Sequence, residues 1–492
     1  MKNPIEYLYF RTRYNGGAVA TQRLGGGLSN AQFLAMVRGI ACKLRNAGVG
    51  PRQLVVTCLK NPHTDWILTL ALMHEAVVTC SNHGYTPLPA GLSPDLVITE
   101  RVMPDVPAGS QLVIDEAWLR ELPAVPGDFA AQRYEADDSL FRVVLTSGTT
   151  GQSKMVGLTL AQFLGNCAHN FSPTGGPSRT FCFLALSTQL GFKEAFIRYL
   201  WGAPFYYALS YQEAINLVDA FQIECITGSP IQIAGLVEEL QRTSRRLTSL
   251  KNIYYGGGEA SPSLINSMRR DLCTNVTCAY GSTEAGSTAR FLVQDPDLQP
   301  GMVGYVVPEA EVQIVGADQE VLETGEEGLI RIRSTYMVQG YYNNPEETKR
   351  CFRDGWFYPG DRGRLLANGA LVLAGRASEL INRGGIKIDP AELDRCLQDC
   401  PGVKDAAAFS FENLQNTEDV CMALVVEDGF DFDALRSRVA RMLGRDRSPA
   451  VFLRVQEIPR NQMGKPQRKQ MREQLGENLR QILRRQGTAG QA

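Results

Sequence analysis

The chain has 492 residues, more than one hydrophobic core usually serves, so two or more domains are expected. Its composition of 44% hydrophobic and 21% charged residues is ordinary for a globular protein, and a net charge of −2 excludes a general attraction to nucleic acid or anionic membranes. No apolar run reaches transmembrane length, because the best candidate, residues 66–80, is interrupted by His74 and Glu75.

Targeting and metal-binding signals are absent from the sequence pattern. Residues 1–17 have no apolar core of the signal-peptide type. The histidines are few, and the cysteines lack a metal-ligand spacing; Cys396 and Cys400, one helical turn apart, have no second pair after them. These features predict a cytoplasmic enzyme with reduced thiols, without membrane insertion and without a nucleic-acid partner.

The first half of the chain predicts alternating strands and helices. Residues 28–48 carry apolar side chains at helical spacing, with Ser29 as N-cap and Gly48 as a stop, and residues 64–78 predict a second helix. Further helices are expected after Thr159 and over residues 231–242. Short buried strands are expected at 53–59, 95–99, 111–115, 142–147 and 224–230. This alternation predicts a mostly parallel sheet whose ligands bind at loops after the carboxyl ends of strands.

The pattern changes near residue 300, where short alternating strands with glycine turns predict a small β subdomain over about 300–376. An α+β pattern follows, so we predict an α/β N-terminal domain of parallel-rich sheets at 1–376 and a small α+β C-terminal domain at 377–492. Near the end, Met471, Leu475, Leu479 and Ile482 form one helical face. That face either packs against the small domain or docks an acidic partner.

One segment, LTSGTTGQSKMVGL at residues 145–158, concentrates hydroxyls, glycines and a lysine. Glycines allow backbone N–H groups to converge on an anion, and the side chains add donors, so a phosphate cradle is one interpretation. The segment is not a Walker A loop, because Lys154 lacks the required neighbours. A polar hairpin turn between strands is the other interpretation.

Further segments carry chemistry of the same kind, although each has a plain structural explanation. A glycine run after a strand, YYGGGEASPS at 254–263, allows close approach of a flat ligand. AYGSTEAG at 279–286 offers a ring, a hydroxyl and a carboxylate, and GWFYPGDRG at 355–363 offers a carboxylate suited to a sugar diol. GRASELINRGGIKIDPAELD at 375–394 and PRNQMGKPQRK at 459–469 add an arginine, a glycine pair and a lysine.

In their joint order, these motifs resemble those of the adenylate-forming (ANL) superfamily, which contains acyl-CoA synthetases, stand-alone adenylation domains of peptide synthetases, aryl-acid ligases and luciferases. The resemblance covers nearly the whole chain. It implies that a carboxylate attacks the α-phosphate of ATP, giving an acyl adenylate and pyrophosphate, with Mg²⁺ as cofactor. A thiol, of CoA or of a carrier-protein phosphopantetheine, then takes the acyl group while a mobile C-terminal domain swings about its hinge.

The resemblance also implies roles for single residues. Lys465 would bridge the substrate carboxylate and the α-phosphate, Thr283 would contact the α-phosphate, and Glu284 would hold Mg²⁺. The clamp on the β- and γ-phosphates would comprise Thr146, Ser147, Gly148, Thr149, Thr150, Gly151 and Lys154. The remaining nucleotide site would comprise Tyr280 against adenine, Asp361 on the ribose hydroxyls, and Gly257, Gly258, Glu259, Gly281, Ser282 and Arg376. The hinge and the loop presented to the thiol would comprise Ser378, Gly384, Gly385 and Lys387.

The acyl pocket is expected at Thr188, Gln189, Lys193, Tyr254, Gly256 and Ala279. Gln189 falls where amino-acid-activating members place an aspartate for the substrate ammonium, so an ordinary α-amino acid is disfavoured. Whether Lys193 faces the pocket or is a solvated or ion-paired helix lysine stays open. The polar residues indicate a substrate with a polar group rather than a plain alkyl chain.

Departures from the family pattern concern the loop and the hinge. Ser153 and Met155 stand where the family usually has Pro and Gly, and Ser378 stands where Asp or Lys is common. The leading interpretation is a carboxylate–AMP ligase that proceeds to a thioester. Alternatives are transfer of the acyl group to an amine, a luciferase-like adenylating oxidoreductase, and a relative that binds nucleotide without turnover.

Overall fold

Helices and strands alternate through much of the computed structural model, which describes residues 3–84, 86–136, 138–146, 154–168, 178–293, 299–398, 400–413, 418–461, 464–476 and 479. Up to residue 168 the elements are α1 (Glu6–Asn15), β1 (Val19–Arg23), β2 (Gly26–Ser29), α2 (Asn30–Asn46), β3 (Leu54–Leu59), α3 (Pro62–His74), β4 (Val78–His83), β5 (Leu96–Thr99), β6 (Gln111–Val113), α4 (Glu116–Arg120), β7 (Leu140–Thr146), β8 (Lys154–Thr159) and α5 (Leu160–Ala168).

The second set of elements runs to the end of the predicted N-terminal domain. Up to residue 292 it comprises β9 (Thr180–Cys182), α6 (Gln189–Leu200), β10 (Phe205–Tyr206), α7 (Tyr211–Ala220), β11 (Cys225–Gly228), α8 (Pro230–Thr243), β12 (Asn252–Gly256), α9 (Pro262–Ser267), β13 (Asn275–Ser282) and β14 (Gly286–Leu292). It continues with β15 (Met302–Val306), β16 (Ala310–Val315), β17 (Gly328–Ser334), α10 (Pro345–Cys351), β18 (Phe352–Arg353), β19 (Trp356–Phe357), β20 (Asp361–Leu365) and β21 (Ala370–Arg376).

The C-terminal part contains β22 (Ile381–Arg383), β23 (Ile386–Ile388), α11 (Pro390–Gln398), β24 (Val403–Glu412), β25 (Glu418–Val426), α12 (Phe432–Leu443) and β26 (Val451–Arg454). Residues 468–476 are also helical. None of the twelve cysteines forms a disulfide. Within the described ranges, no helix combines the length and the apolar character needed to cross a membrane.

The helix starts follow their predicted capping signals. The Ser29 side chain accepts from the backbone N–H of Gln32, whose side-chain oxygen accepts in return from the Ser29 N–H. Thr159 and Gln162 make the same reciprocal pair at the start of α5, with distances of 3.1 and 3.0 Å. Such capping boxes satisfy N–H groups that have no partner within the helix.

Several strands in the first half were not among those predicted, and β4 and β8 are two of them. The helix expected over 64–78 ends at His74, and β4 pairs in parallel with β3 instead. Ala76 adopts a left-handed backbone with φ of 54°, which a right-handed helix does not continue through. Similarly, β8 precedes the helix expected after Thr159 and pairs antiparallel with β7. Buried strands read as continuous apolar runs, which periodicity alone does not separate from helix.

The first sheet has the order β6-β5-β3-β4-β7-β8. Its pairs are parallel except for the β7–β8 hairpin, in which Thr146 lies opposite Lys154. The segment with the hydroxyls and glycines therefore connects two antiparallel strands at the end of β7. Its central residues, Ser147, Gly148, Thr149, Thr150 and Gly151, lie outside the described residues.

The second sheet changes from parallel to antiparallel along its length. Strands β10, β9, β11, β12 and β13 are parallel neighbours, as predicted, and helices α7 and α8 pack apolar side chains against this half. From β13 through β14, β15, β21, β20 and β17 all pairs are antiparallel. The strands predicted as a small β subdomain therefore extend the second sheet, which brings the end of β13 close to β20 and β21.

The C-terminal part forms a separate three-stranded sheet, β24-β25-β26, with an apolar cluster on each face. In β24, Ala406 and Ala408 face one cluster, whereas Ala407 and Phe409 face the other, as the two-residue period of a strand requires. The predicted helical face near the end packs against the second cluster through Met471 and Leu479. That part of the prediction is confirmed, whereas Ile482 lies outside the described residues.

Candidate functional site

A cleft of about 2660 Å³ lies between the second sheet and the C-terminal part of the chain. The predicted site residues that line it are Thr146, Lys154, Thr188, Gln189, Lys193, Tyr254, Gly257, Gly258, Glu259, Ala279, Tyr280, Gly281, Ser282, Thr283, Glu284, Asp361, Arg376, Ser378, Lys387 and Lys465. Among the described residues predicted for the site, Gly256, Gly384 and Gly385 do not line it. The cleft thus collects residues from segments that lie hundreds of positions apart.

Tyr280 and Asp361 meet at the point where β13 approaches the antiparallel half of the sheet. The Tyr280 hydroxyl donates to Asp361 Oδ2 at 2.6 Å, and Arg376 Nε lies 3.3 Å from Asp361 Oδ1. Asp361 and Arg376 face each other because they are direct partners in the β20–β21 pair. Burial and the negative charge of Asp361 raise the pKa of Tyr280 well above its ordinary value, so the hydroxyl remains protonated and able to donate.

Glu284 follows β13 in the turn to β14, and only 8% of its surface is exposed. Its Oε1 accepts a hydrogen bond of 2.8 Å from the hydroxyl of Tyr341. Lys154 Nζ donates to the same hydroxyl at 3.4 Å and lies 2.5 Å from Glu347 Oε1. The lysine predicted to bind phosphate is therefore linked to Glu284 through Tyr341, and an acidic partner already holds it in this structure.

Tyr341 and Glu347 were missed by the sequence analysis. Arg350 and Lys154 hold Glu347 ionised: hydrogen bonds from Arg350 first, and then from Lys154, lower the pKa of Glu347 to about 2. Burial, followed by the charge of Glu284, raises the pKa of Tyr341, which keeps its hydroxyl protonated. Residues 335–347 have no apolar periodicity, and Tyr341 is 187 positions from Lys154, so local pattern carries no signal for these contacts.

The YGSTE segment owes its shape to close backbone packing. A Cβ on Gly281 would lie 2.3 Å from the carbonyl oxygen of Gly286, so only glycine fits there. Ser282 Oγ accepts from the Ala285 N–H at 3.0 Å, which closes the turn that carries Thr283 and Glu284. Thr283 is half-buried and lines the cleft.

The glycine run after β12 lies beside this turn. Gly257 has φ of 80°, a left-handed conformation that glycine adopts without strain. A Cβ on Gly256 would lie 2.9 Å from the carbonyl oxygen of Ala279 on β13, so this glycine lets the two strands pack closely. Glu259 Oε2 lies 3.3 Å from Arg395 of α11, which joins the glycine segment to the C-terminal part.

Lys465 enters the cleft from the C-terminal part. Its backbone N–H donates to Asn461 Oδ1 at 3.0 Å, and its carbonyl accepts from the Asn461 N–H at 3.0 Å. Gly464 has φ of 80° in this turn, and a Cβ there would lie 2.9 Å from Cγ2 of Ile231 in α8. Only a residue without a side chain lets the lysine turn approach α8 so closely.

The charged groups that act on Lys465 include Asp361 and Arg376, which pair with each other beside Tyr280. Although solvent reaches the residue within the cleft, desolvation by the surrounding protein lowers the pKa of Lys465, and the positive charge of Arg376 adds to this effect. The carboxylates of Asp361, Glu379 and Glu284 oppose it. An approaching anion would strengthen the charged form, because it repays part of the desolvation.

The predicted acyl-pocket residues lie around the start of α6. Thr188 caps this helix: its Oγ1 accepts from the Gly191 N–H at 3.0 Å and donates to the Ala185 carbonyl at 2.8 Å. The hydroxyl therefore uses its proton within the protein and has none left to donate to a substrate. Gln189 Oε1 is buried without a hydrogen-bond partner among the described residues. Lys193, on the same face one turn later, is buried and lines the cleft, so it is not a solvated helix lysine.

The predicted hinge and loop residues follow β21. Ser378 lies in a short 3₁₀ turn that lines the cleft. Gly384 and Gly385, with φ of 57° and 96°, form the hairpin turn between β22 and β23 and have open space around them. Lys387, on β23, is exposed and also lines the cleft.

A preformed metal centre is not evident in the described part of the chain. No group of three or more histidine, cysteine, aspartate or glutamate side chains is placed to hold an ion there. Glu284 still supplies a hard carboxylate ligand at the cleft, and Mg²⁺ is commonly held by one or two carboxylates together with substrate phosphates. The donor set therefore fits an ion that arrives with a nucleotide.

Comparison with known proteins gives a consistent result. The chain is 25% identical to the medium/long-chain-fatty-acid–[acyl-carrier-protein] ligase FadD10 of Mycobacterium tuberculosis, over 94% of each chain. It is 24% identical to a 4-chlorobenzoate–CoA ligase of an Arthrobacter species, over 97% of this chain and 96% of the relative. The fold matches O-succinylbenzoate coenzyme A synthetase of Bacillus subtilis in complex with AMP, with a TM-score of 0.80, 22% identity, and coverage of 94% and 97%.

A sequence model of the AMP-binding enzyme family matches residues 11–342, two-thirds of the chain. This range includes the hydroxyl- and glycine-rich segment, the glycine run and the YGSTE turn described above. The chain therefore belongs to the AMP-binding enzyme family.

Proposed function

We propose that the protein activates a carboxylic acid with ATP as an acyl adenylate, releases pyrophosphate, and transfers the acyl group to a thiol of CoA or of a carrier-protein phosphopantetheine. The observation that carries the proposal is the cleft into which Tyr280, Glu284, Asp361, Arg376 and Lys465 converge from distant segments. The family and the named acid–thiol ligases among the relatives support the same chemistry.

The first step joins two anions, so its barrier is electrostatic. The substrate carboxylate oxygen forms a bond to the α-phosphorus as the bond to the bridging oxygen of the β-phosphate breaks. Lys465 is suited to lie between the carboxylate and the α-phosphate, since it lines the cleft where the charges of Arg376 and Asp361 act on it. Thr283 adds a hydroxyl donor beside it, and such donors matter most where charge develops in the transition state.

The nucleotide is positioned by groups that this structure links to one another. Asp361 uses part of its acceptor capacity on Tyr280 and Arg376, and a carboxylate, with about four lone-pair sites, can still accept the ribose hydroxyls. Lys154 would exchange its contact with Glu347 for the β- and γ-phosphates, together with Thr146 and the neighbouring segment. Glu284 would hold Mg²⁺, which when bound neutralises charge on the phosphates.

The second step requires a different arrangement of the C-terminal part. Lys465 is in the cleft in this structure, whereas the Gly384–Gly385 turn is outside it. A swing about residues 375–378 would withdraw the lysine and bring the turn and Lys387 to the acyl adenylate for attack by the thiol. One chain would thus build two sites in succession.

The activity is tested by exchange of labelled pyrophosphate into ATP. Purified protein is given ATP, Mg²⁺ and a panel of aliphatic, aromatic and dicarboxylic acids, and exchange that depends on the acid is expected. CoA, a phosphopantetheine-loaded carrier protein and simple amines are then offered as acceptors, which separates thioester formation from amide formation. Absence of exchange and of AMP with every acid would overturn the proposal.

The role of Lys465 is tested by separating the two half-reactions. Lys465→Ala is expected to slow adenylate formation about 10²- to 10³-fold, the usual cost of removing one transition-state donor. Thioester formation from supplied acyl adenylate should be preserved, because the lysine is withdrawn in that step. Lys404→Ala, an exposed lysine of β24 away from the cleft, is the matched control. Equal losses in both half-reactions would contradict the assignment.

A further inference from the structure

The inner wall of the cleft at α6 carries a buried cation. Lys193 is 8% exposed and lines the cleft, and Gln189 lies one turn earlier on the same helix face. The groups that act electrostatically on Lys193 are Glu194, Cys167 and Arg290. Lys193 is therefore placed in the cleft rather than on an outer, solvated face of α6.

Lys193 and Lys465 lie in different parts of the cleft. Lys193 is on α6, whereas Lys465 enters the cleft in a turn of the C-terminal part whose Gly464 lies against Ile231 of α8. A single acyl substrate can therefore meet both lysines only at two separate positions. The proposed function assigns one of these positions, at Lys465, to the carboxylate that is activated.

The ammonium of Lys193 lacks a protein counter-ion in the described part of the chain. No carboxylate there lies within ion-pair distance of its Nζ, and no hydrogen bond of its Nζ is found. The adjacent Glu194 is engaged by Arg198 at 3.1 Å, and both side chains are mostly buried. Burial raises the pKa of Cys167 to about 12, so its thiol stays neutral and does not supply the missing charge.

Lys193 differs from the next cation along α6 in having no carboxylate partner among the described residues. That cation, Arg198, lies one turn after Glu194 on the same helix and has its carboxylate as a partner at 3.1 Å. Desolvation lowers the pKa of Lys193 and the charge of Glu194 opposes this effect, so an anion that enters the cleft beside Lys193 would stabilise its charged form. Arg290 adds positive potential nearby, so a substrate ammonium would be repelled at this position.

From this juxtaposition we propose that Lys193 binds a second carboxylate on the acyl substrate, so that the preferred substrate is a dicarboxylic acid of which only one end is adenylated. The inference rests on the proposed function and names the substrate class of the same site. Gln189 supports it, because its buried amide group lacks a partner for Oε1 and can turn its N–H toward the same group. Lys193 then acts as a specificity-determining residue.

The test compares matched acids in the exchange assay. Each dicarboxylic acid of an aliphatic series, and each benzene dicarboxylic or carboxyphenyl-alkanoic acid, is paired with the monocarboxylic acid of the same skeleton. For the best pair, the native enzyme should prefer the diacid by about 10- to 100-fold in kcat/KM, the range expected for one charge-assisted hydrogen bond. Lys193→Met should abolish this preference by lowering only the diacid value, and Lys193→Arg should retain most of it.

Lys349→Met, which removes an exposed lysine from α10, is the control for the loss of one positive charge, and thermal unfolding checks that each variant is folded. If monocarboxylic acids support exchange in the native enzyme but no diacid is preferred over its partner, the inference fails and the proposed function stands. The inference also fails if a diacid is preferred and Lys193→Met leaves that preference unchanged. If no acid supports exchange in the native enzyme, the proposed function fails and the inference falls with it.

Discussion

At the scale of single residues, two tyrosine hydroxyls hold two of the carboxylates that line the cleft. Tyr280 donates to Asp361 and Tyr341 donates to Glu284, and each bond fixes an acidic group whose other lone pairs remain for ligands. Only the first tyrosine stands in a motif that the sequence analysis identified. The second acts on the proposed Mg²⁺ ligand, so it is the more informative residue to change.

Tyr341→Phe keeps the ring and removes the hydroxyl that orients Glu284. Loss of a group that holds a metal ligand usually costs about 10- to 100-fold in metal affinity, so the Mg²⁺ concentration for half-maximal pyrophosphate exchange should rise by about that factor. Exchange measured across a Mg²⁺ titration checks this. Tyr342→Phe is the control, because the Tyr342 ring packs near Gly157 on β8 instead. The same shift in both variants would contradict the role.

A buried acid at the start of α11 predicts a pH effect on stability. Burial raises the pKa of Asp389 from 3.8 to about 6, while Oδ1 accepts from the Ala391 N–H at 3.0 Å. The folded state thus favours the protonated acid. The stability that protonated Asp389 contributes is fully present below about pH 4 and is lost as pH rises through about 6. The buried ionised form is what destabilises the fold at neutral pH.

Asp389→Asn imitates the protonated acid and keeps the helix cap, since Asn and Asp cap equally well. The free energy of unfolding of the variant minus that of the native protein should increase by up to about 3 kcal/mol from pH 4 to pH 7.5. Urea denaturation at the two pH values measures this difference. Asp431→Asn, at the exposed N-cap of α12, controls for the exchange itself. A difference that does not change with pH would contradict the prediction.

At the scale of elements, β7 connects the two sheets through one arginine. Arg142 is 1% exposed and donates to Thr79 Oγ1 at 3.1 Å, to Ser81 Oγ at 3.2 Å, and to the Leu186 carbonyl at 2.6 Å. Its guanidinium also lies 3.8 Å from the ring centroid of Phe192 on α6. The same side chain therefore connects β4 and β7 of the first sheet to the segment that leads into α6 and the proposed acyl pocket.

Arg142→Met keeps much of the buried volume but removes the donors. Because the Leu186 carbonyl loses a charged partner, the free energy of unfolding should fall by at least about 1.5–3 kcal/mol, measured by denaturant titration. The variant should also bind the acid more weakly, since α6 is no longer held at its start. Arg120→Met, an exposed arginine of α4, should leave both quantities nearly unchanged. Equal stabilities of the two variants would show that Arg142 does not join the sheets in this way.

At the scale of the whole molecule, the C-terminal part lies over the cleft through small contacts. The Arg395–Glu259 pair and the close approach of Gly464 to Ile231 connect it to the remainder, and Lys465 projects between them. Partly exposed ion pairs contribute only about 0.2–1 kcal/mol, so such contacts favour one arrangement without preventing another. That balance suits the swing of the C-terminal part proposed for the second step.

Arg395→Gln should therefore weaken the arrangement seen here, although it also removes the guanidinium 3.9 Å from Asp389 within the C-terminal part. Adenylate formation is expected to slow by about 1.4- to 5-fold, the equivalent of one such pair, whereas thioester formation from supplied acyl adenylate should be unchanged. Rapid-quench measurement of the separate half-reactions provides the test. Arg454→Gln, whose partner Asp428 lies within the C-terminal part, is the matched control. A slower second step in the Arg395 variant would contradict the prediction.

Much of the fold could be predicted from local pattern, because capping residues, glycine stops and apolar periodicity act within a few positions. The capping signals at Ser29 and Thr159 mark helix starts that the structure has. Strand β4 could not be separated in this way from the helix predicted over 64–78, and the choice between a phosphate cradle and a hairpin turn was left open where β8 lies. The identity of both strands depends on the neighbouring strands that pair with them. The packing of the predicted β subdomain onto β14 likewise depends on contacts between distant segments.

The sequence by itself determined the family and the kind of chemistry, because the order of the motifs from residue 145 to residue 469 and the side chains they carry are local properties. Only the tertiary structure decided which groups meet: that Tyr341 joins Lys154 to Glu284, and that Lys193 is buried in the cleft without a counter-ion among the described residues. The physical reason is that burial and charge pairing depend on sheet register and on packing between segments far apart in the chain, which no local pattern records.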